Sequence, residues 1–196
     1  VEEITAEDYC DSQQECFDTQ MLKVLRSKLA KAKQDSIIVL HSMGSHGPAY
    51  YKRSPQALKK FLPECTTTEL NQCPVETIRN AYDNSLVVTD QLIIGAINTL
   101  KQASNIDTSL MYISDHGESL GDNGVYLHGL PNWMAPDEQR HVPWIVWPAK
   151  AWADRPDAAA TYPVNHDYLA HSLLGFFNVK TSLYQPQLDL AEQLAP

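Results

Sequence analysis

"SLMYISDHGESLGDNGVYLHGLP", residues 109–131, decides the reading of this chain. An apolar run with a β-branched residue ends abruptly in Asp115-His116-Gly117-Glu118, and a further histidine, His128, follows in a glycine-bearing loop. Such a run reads as a buried strand, and its polar end lies where a sheet opens. Adjacent residues on a strand point to opposite faces. At a strand end, with Gly117 free to turn, Asp115 and His116 can both aim at one point. A carboxylate and an imidazole suit zinc, whose catalytic sites take three protein ligands and keep one position open. A single Asp-His pair is more often a hydrogen-bonded turn. The other histidines after strands, His41, His46 and His128, add weight to a metal reading. His41, the last apolar-strand position, ranks below the other two as a candidate ligand. His141, His166 and His171 read as structural. Glu118 reads as a partner that hydrogen-bonds a ligating imidazole, with a solvated surface acid as the alternative.

Outward from this stretch, the pattern is α/β. Residues 18–33, "DTQMLKVLRSKLAKAK", place apolar side chains on one helical face, with Asp18 as the expected N-cap. "SIIVLHS", 36–42, is expected as a strand buried on both faces, ended by Gly44, Gly47 and Pro48. Residues 52–75 are irregular. From Val75 to about Ala103, apolar residues recur at three- and four-residue spacing, which predicts a long helix. Asp83 and Asp90 read as residues of its surface. "TSLMYISD", 108–115, and "VPWIVW", 142–147, are expected strands; 165–177 is an expected helix, and the tail after Lys180 a surface strand or coil. Strand, helix, strand, strand, helix implies a largely parallel central sheet flanked by helices, with ligands gathered beyond the carboxyl ends of its strands. Residues 1–196 show no interdomain linker, so the whole chain reads as one domain or most of one.

The totals bound the function. With 196 residues, 43% hydrophobic and 20% charged, the chain can bury a real core. A net charge of −9 argues against nucleic-acid binding, which runs on an excess of Lys and Arg. No stretch is long and apolar enough to span a bilayer, and the start lacks signal-peptide character. A chain opening on Val1 reads as a mature or truncated product. Four cysteines form two close pairs, Cys10/Cys16 and Cys65/Cys73, and allow three connectivities. Spacing favours the two local disulfides; zinc binding by the cysteines is the alternative, without a C-x₂-C spacing behind it. Disulfides imply an oxidising compartment and hence export.

"VLHSMGSHGPAYY", "FLPECTTTELNQC", "NAYDNSLVVTDQLI", "LMYISDHGESLGDNGVYLHGLP" and "HVPWIVW" resemble, in order, the catalytic domain of bacterial phosphoethanolamine transferases of the polymyxin-resistance type. These belong to the alkaline phosphatase/sulfatase superfamily. The resemblance implies an alkaline phosphatase-like α/β fold, of which residues 1–196 are the C-terminal part. It implies Asp115 and His116 as zinc ligands, and His46 and His128 around the phosphoryl group, with room for a second zinc. It implies Cys10–Cys16 and Cys65–Cys73 as periplasmic disulfides. The implied reaction is zinc-dependent transfer of phosphoethanolamine from phosphatidylethanolamine to lipid A or a related glycolipid, through a covalent threonine, at the periplasmic face of the inner membrane. The family's catalytic threonine, glutamate ligand and membrane anchor have no matching motif here. The chain is therefore expected to need the N-terminal part of the same protein, and to be inactive alone with its zinc shell half complete. Two rivals remain: a hydrolase of the same superfamily using water, and a folded but non-catalytic fragment.

Overall fold

Helix α2, Val75–Lys101, organises the larger part of the molecule. Ile78, Ala81, Ser85, Val88, Leu92, Ala96 and Leu100 fall on one face and are buried there, as the 3.6-residue period requires. Glu76 in its first turn and Lys101 in its last complement the helix dipole. In the computed structural model the described residues are 16–103, 106–147 and 163–193. The chain divides into two compact units, Val1–Trp147 and Pro148–Pro196.

In the first unit, helix α1, Met21–Lys31, packs on α2 through Met21, Val24 and Leu25. Asp18 is not its N-cap. Residues Asp18–Gln20 form a 3₁₀ turn capped at Phe17, whose amide donates to the Gln20 side chain. The Asp18 carboxylate instead accepts from the amides of Met43, at 3.0 Å, and Gly44, at 2.7 Å. Two loop amides satisfy a carboxylate better than one helix terminus, and Asp18 thereby ties down the loop that leads to His46.

The expected strand at 36–42 is absent. Ile37 and Val39 are 56% and 78% exposed, and neither two-stranded sheet among the described residues includes this run. A β-branched run becomes a strand only where a neighbour completes its ladder. The expected strands at 108–115 and 142–147 form as β1, Leu110–Ile113, and β4, Trp144–Trp147. They pair antiparallel, from Leu110 opposite Trp147 to Ile113 opposite Trp144. This differs from the largely parallel sheet expected of the alkaline phosphatase-like class. The reason lies in the connection. The chain leaves β1, builds the short antiparallel ribbon β2 (Ser119–Leu120) and β3 (Tyr126–Leu127) and a single helical turn α3 (Asp137–Arg140), and re-enters β4 at the end it left. The Ser114 amide donating to Pro143 and the Gly117 amide donating to Gln139 extend the fold-back beyond the strands. No crossover helix intervenes between β1 and β4 to make them parallel.

A core of Tyr50, Cys65, Leu70, Ile78 and Ala81 is buried against α2, with Leu120, Tyr126 and Leu127 packed on it. The Cys65–Cys73 disulfide closes the loop over this core. Cys10 lies outside the described residues, so the Cys10–Cys16 pairing does too. Asn84 is fully buried and pins the irregular segment 59–64 to α2. Its Oδ1 accepts from the amides of Lys60 and Phe61, and its Nδ2 donates to Phe61 O and Glu64. Lys59 pairs with the same glutamate.

The second unit contains α4, Asp167–Phe176, and a tail of coil interrupted by two short helical turns, with no strand among its described residues. After a 3₁₀ turn at Pro186–Leu188, Asp189 caps α5, Leu190–Gln193, by accepting from the Ala191 amide. Leu190 is buried, and its amide donates to Ser172 Oγ of α4. No described helix is long and apolar enough to cross a membrane.

Asn84→Ala would strip four hydrogen bonds and leave the Lys60 and Phe61 amides without their side-chain acceptor. The expected loss is about 2–4 kcal/mol of unfolding free energy, measured by urea denaturation. Asn84→Asp should destabilise as well, because the oxygen that replaces Nδ2 would face the Phe61 carbonyl and the Glu64 carboxylate with no proton to donate.

Candidate active site

The connection between β1 and β4 and the loop after Ser42 bring three histidines together. One ring nitrogen each from His46, His116 and His128 lies within 4.8 Å of the others. The His116 and His128 rings stack at 3.8 Å between centroids, and His46 meets His128 edge-on at 5.0 Å. His46 is exposed; His116 and His128 are half-buried, so the cluster opens to solvent.

Each ring is oriented through Nδ1. His46 Nδ1 lies 2.7 Å from Gly47 O, His116 Nδ1 3.0 Å from Gly117 O, and His128 Nδ1 3.1 Å from Glu118 Oε1. Carbonyl and carboxylate oxygens only accept, so Nδ1 carries the proton in all three rings. Each Nε2 is then left with a free lone pair. This is the tautomer that a metal ligand or a general base requires.

Glu118 is the anchor of the arrangement. Its side chain is 4% exposed and accepts three hydrogen bonds. The Gly47 amide donates to Oε1 at 3.1 Å, the Tyr50 hydroxyl donates to Oε2 at 3.2 Å, and His128 donates to Oε1. One carboxylate thus fixes His128 and the backbone beside His46, from a position two residues after His116. Burial, with the Glu118 charge beside it, pushes the phenols of Tyr50 and Tyr82 above the usual range, so both stay protonated donors at working pH.

Asp115 sits at the end of β1 with its side chain 82% exposed. Its Oδ1 accepts from the His116 amide at 3.0 Å, and its Oδ2 lies 3.9 Å from His116 Nε2. It stands outside the three-histidine cluster but shares His116 with it. His41 is exposed and His141 sits at the end of α3; neither belongs to the cluster. His171, in the second unit, accepts from the Gln185 amide.

Two local features make the convergence possible. A Cβ on Gly117 would lie 2.0 Å from the carbonyl oxygen of Glu138, so only glycine allows the turn after His116 to pass so close to α3. Leu127, just before His128, adopts φ 63°, a left-handed conformation that costs a non-glycine residue about 1 kcal/mol. That turn swings His128 back over Glu118. Sequence reasoning missed Tyr50 and the tether from Asp18. Tyr50 carries no signal beyond its place four residues after His46, where a core aromatic looks the same.

A family model described as Sulfatase matches residues 2–179. The chain belongs to the sulfatase family. Among curated relatives, it is 43% identical over 187 residues to phosphoethanolamine transferase EptA of Salmonella typhimurium, covering 91% of this chain and 34% of that protein. It is 47% identical over 167 residues to phosphatidylethanolamine transferase Mcr-1 of Escherichia coli, covering 84% and 31%. The soluble domain of lipooligosaccharide phosphoethanolamine transferase A from Neisseria meningitidis superposes with a TM-score of 0.89 at 34% identity, over 100% of this chain and 62% of that one. The C-terminal periplasmic domain of EptC from Campylobacter jejuni gives 0.85 at 43% identity, over 92% and 60%. This sulfatase-family chain therefore spans about a third of the length of its curated relatives. Its fold is that of the alkaline phosphatase-like soluble domains, in part.

Gly117→Ala should lower stability by about 1–3 kcal/mol in urea denaturation, because its methyl group would meet backbone rather than a movable side chain.

Proposed function

We propose that this chain is the phosphoryl-handling part of a zinc-dependent enzyme that transfers phosphoethanolamine from phosphatidylethanolamine to lipid A or a related glycolipid, on the periplasmic side of the bacterial inner membrane. The observation that carries the reading is the convergence of His46, His116 and His128 with every Nδ1 satisfied and every Nε2 free. The relatives' names support the phosphoethanolamine donor chemistry, and the periplasmic domain of Campylobacter jejuni EptC supports the compartment. The rest of the protein would supply the threonine nucleophile and membrane anchor that the resemblance implies.

The donor set fits zinc. Imidazole nitrogens and a carboxylate are its usual ligands, and the Gly47, Gly117 and Glu118 oxygens on Nδ1 already fix the tautomer that binding needs. His116 and Asp115 would hold the ion, their 3.9 Å separation being near what two ligands on one small cation require. Bound there, zinc supplies Lewis-acid polarisation of the phosphoryl oxygens and a lower pKa for a hydroxyl nucleophile.

His128 and His46 carry the proton and charge work. With Nδ1–H held on Glu118, His128 Nε2 is a base for the hydroxyl that attacks, and the buried carboxylate stabilises the imidazolium that forms. The same imidazolium then returns its proton to a leaving oxygen. His46, turned by the Gly47 carbonyl, presents Nε2 to the same opening, where the protonated ring can donate to a phosphoryl oxygen and neutralise it.

In the complete enzyme, His46→Ala and His128→Ala should each lower turnover by roughly 10²–10⁴. His141→Ala should leave it nearly intact. The assay follows diacylglycerol release from phosphatidylethanolamine and the mass of the modified lipid A. Hydrolysis of simple phosphate esters without transfer would replace this reading with that of a hydrolase. Zinc titration of the chain by calorimetry should show His116→Ala weakening binding at least about tenfold, and more than Asp115→Ala does. His116 belongs to both ligand groups; the exposed Asp115 belongs to one.

A further inference from the structure

Tyr50 stands out as a buried polar group with one partner of consequence. Its ring is 1% exposed within the core under the site, and the Tyr82 ring meets it edge-on at 5.6 Å, which fixes the direction of the hydroxyl. That hydroxyl donates to Glu118 Oε2. Room for it is made by Gly47, where a Cβ would lie 2.6 Å from the Tyr50 oxygen. The residue whose amide binds Oε1 is thus also the residue that must lack a side chain for Oε2 to be bound. Two separate features of the "SHGPAY" loop serve one carboxylate.

We propose that Tyr50 is a positioning residue of the histidine cluster: by holding Glu118 Oε2 it directs Oε1 onto His128 Nδ1 and fixes the tautomer that leaves Nε2 free to act as a base. A carboxylate this deeply buried keeps its orientation only while both oxygens are satisfied. Without the hydroxyl, Oε2 is bare, and nothing on its side holds the carboxylate in the orientation that aims Oε1 at His128. His128 then loses the acceptor that keeps its proton on Nδ1. The proposal deepens the reading of His128 given above and rests on it for its functional meaning.

The test reads ring nitrogens and needs neither metal nor substrate, so its failure is distinct from failure of a transfer assay. The full chain with ¹⁵N-labelled histidine is compared with Tyr50→Phe at a pH where imidazoles are neutral. Wild type should show His128 protonated at Nδ1. In Tyr50→Phe the Nε2–H form should rise about tenfold, the equivalent of one lost hydrogen bond. His116, held by a backbone carbonyl instead, should not change. A Tyr50→Phe protein that melts lower but keeps the His128 tautomer would make Tyr50 a core residue and overturn the proposal. Should that variant fail to fold, 3-fluorotyrosine at position 50 keeps the shape and strengthens the donor. It should move the His128 Nδ1–H resonance, and an unmoved resonance would overturn the proposal equally.

Discussion

The buried carboxylate of Glu118 is the interaction on which the rest of this site depends. A carboxylate at 4% exposure is costly unless it is paired and hydrogen-bonded. Its three partners come from two places: the Gly47 amide and the Tyr50 hydroxyl from the segment after the 43–46 loop, and His128 after the β2–β3 ribbon. The desolvation cost of one charge therefore selects a single arrangement of the 47–50 segment against Glu118 and His128. Tertiary structure here is specified less by apolar packing, which tolerates exchange among similar shapes, than by a polar group that tolerates few alternatives.

That constraint explains what was legible beforehand. Helix α2 could be read because ten buried positions repeat at helical spacing over 27 residues. Strands β1 and β4 could be read because their apolar runs end sharply at Asp115 and Pro148. The histidines drew attention by type and by their place after apolar runs. The rest was hidden because it is decided by partners. Asp18 looks like an N-cap until two amides 25 and 26 residues away claim its carboxylate. Tyr50 looks like any core aromatic until Glu118 is placed beside it. The antiparallel pairing of β1 with β4 depends on a fold-back that the element order does not encode. Residues 36–42 have the composition of a strand, but composition provides no neighbour.

The three rings also show how a modest scaffold makes a chemically definite centre. No residue of the cluster lies in a long element. They are held by a 3₁₀ turn's neighbour, a strand end and a left-handed turn, and each relies on short-range hydrogen bonds at Nδ1. Local order of this kind is inexpensive in chain length but intolerant of backbone change. Gly117 and Gly47 are the places where this intolerance is greatest.

The run from Ser36 to Leu40 has a practical consequence for the protein in solution. It offers aliphatic side chains and main-chain donors and acceptors with no strand beside it among the described residues. Such an edge is a template for another copy. Colloidal behaviour should therefore depend on concentration and salt, since the mutual repulsion of molecules with a net charge of −9 opposes contact between these edges and is weakened by screening. Low ionic strength, rather than any change to the histidine site, should therefore favour dispersed molecules over self-pairing.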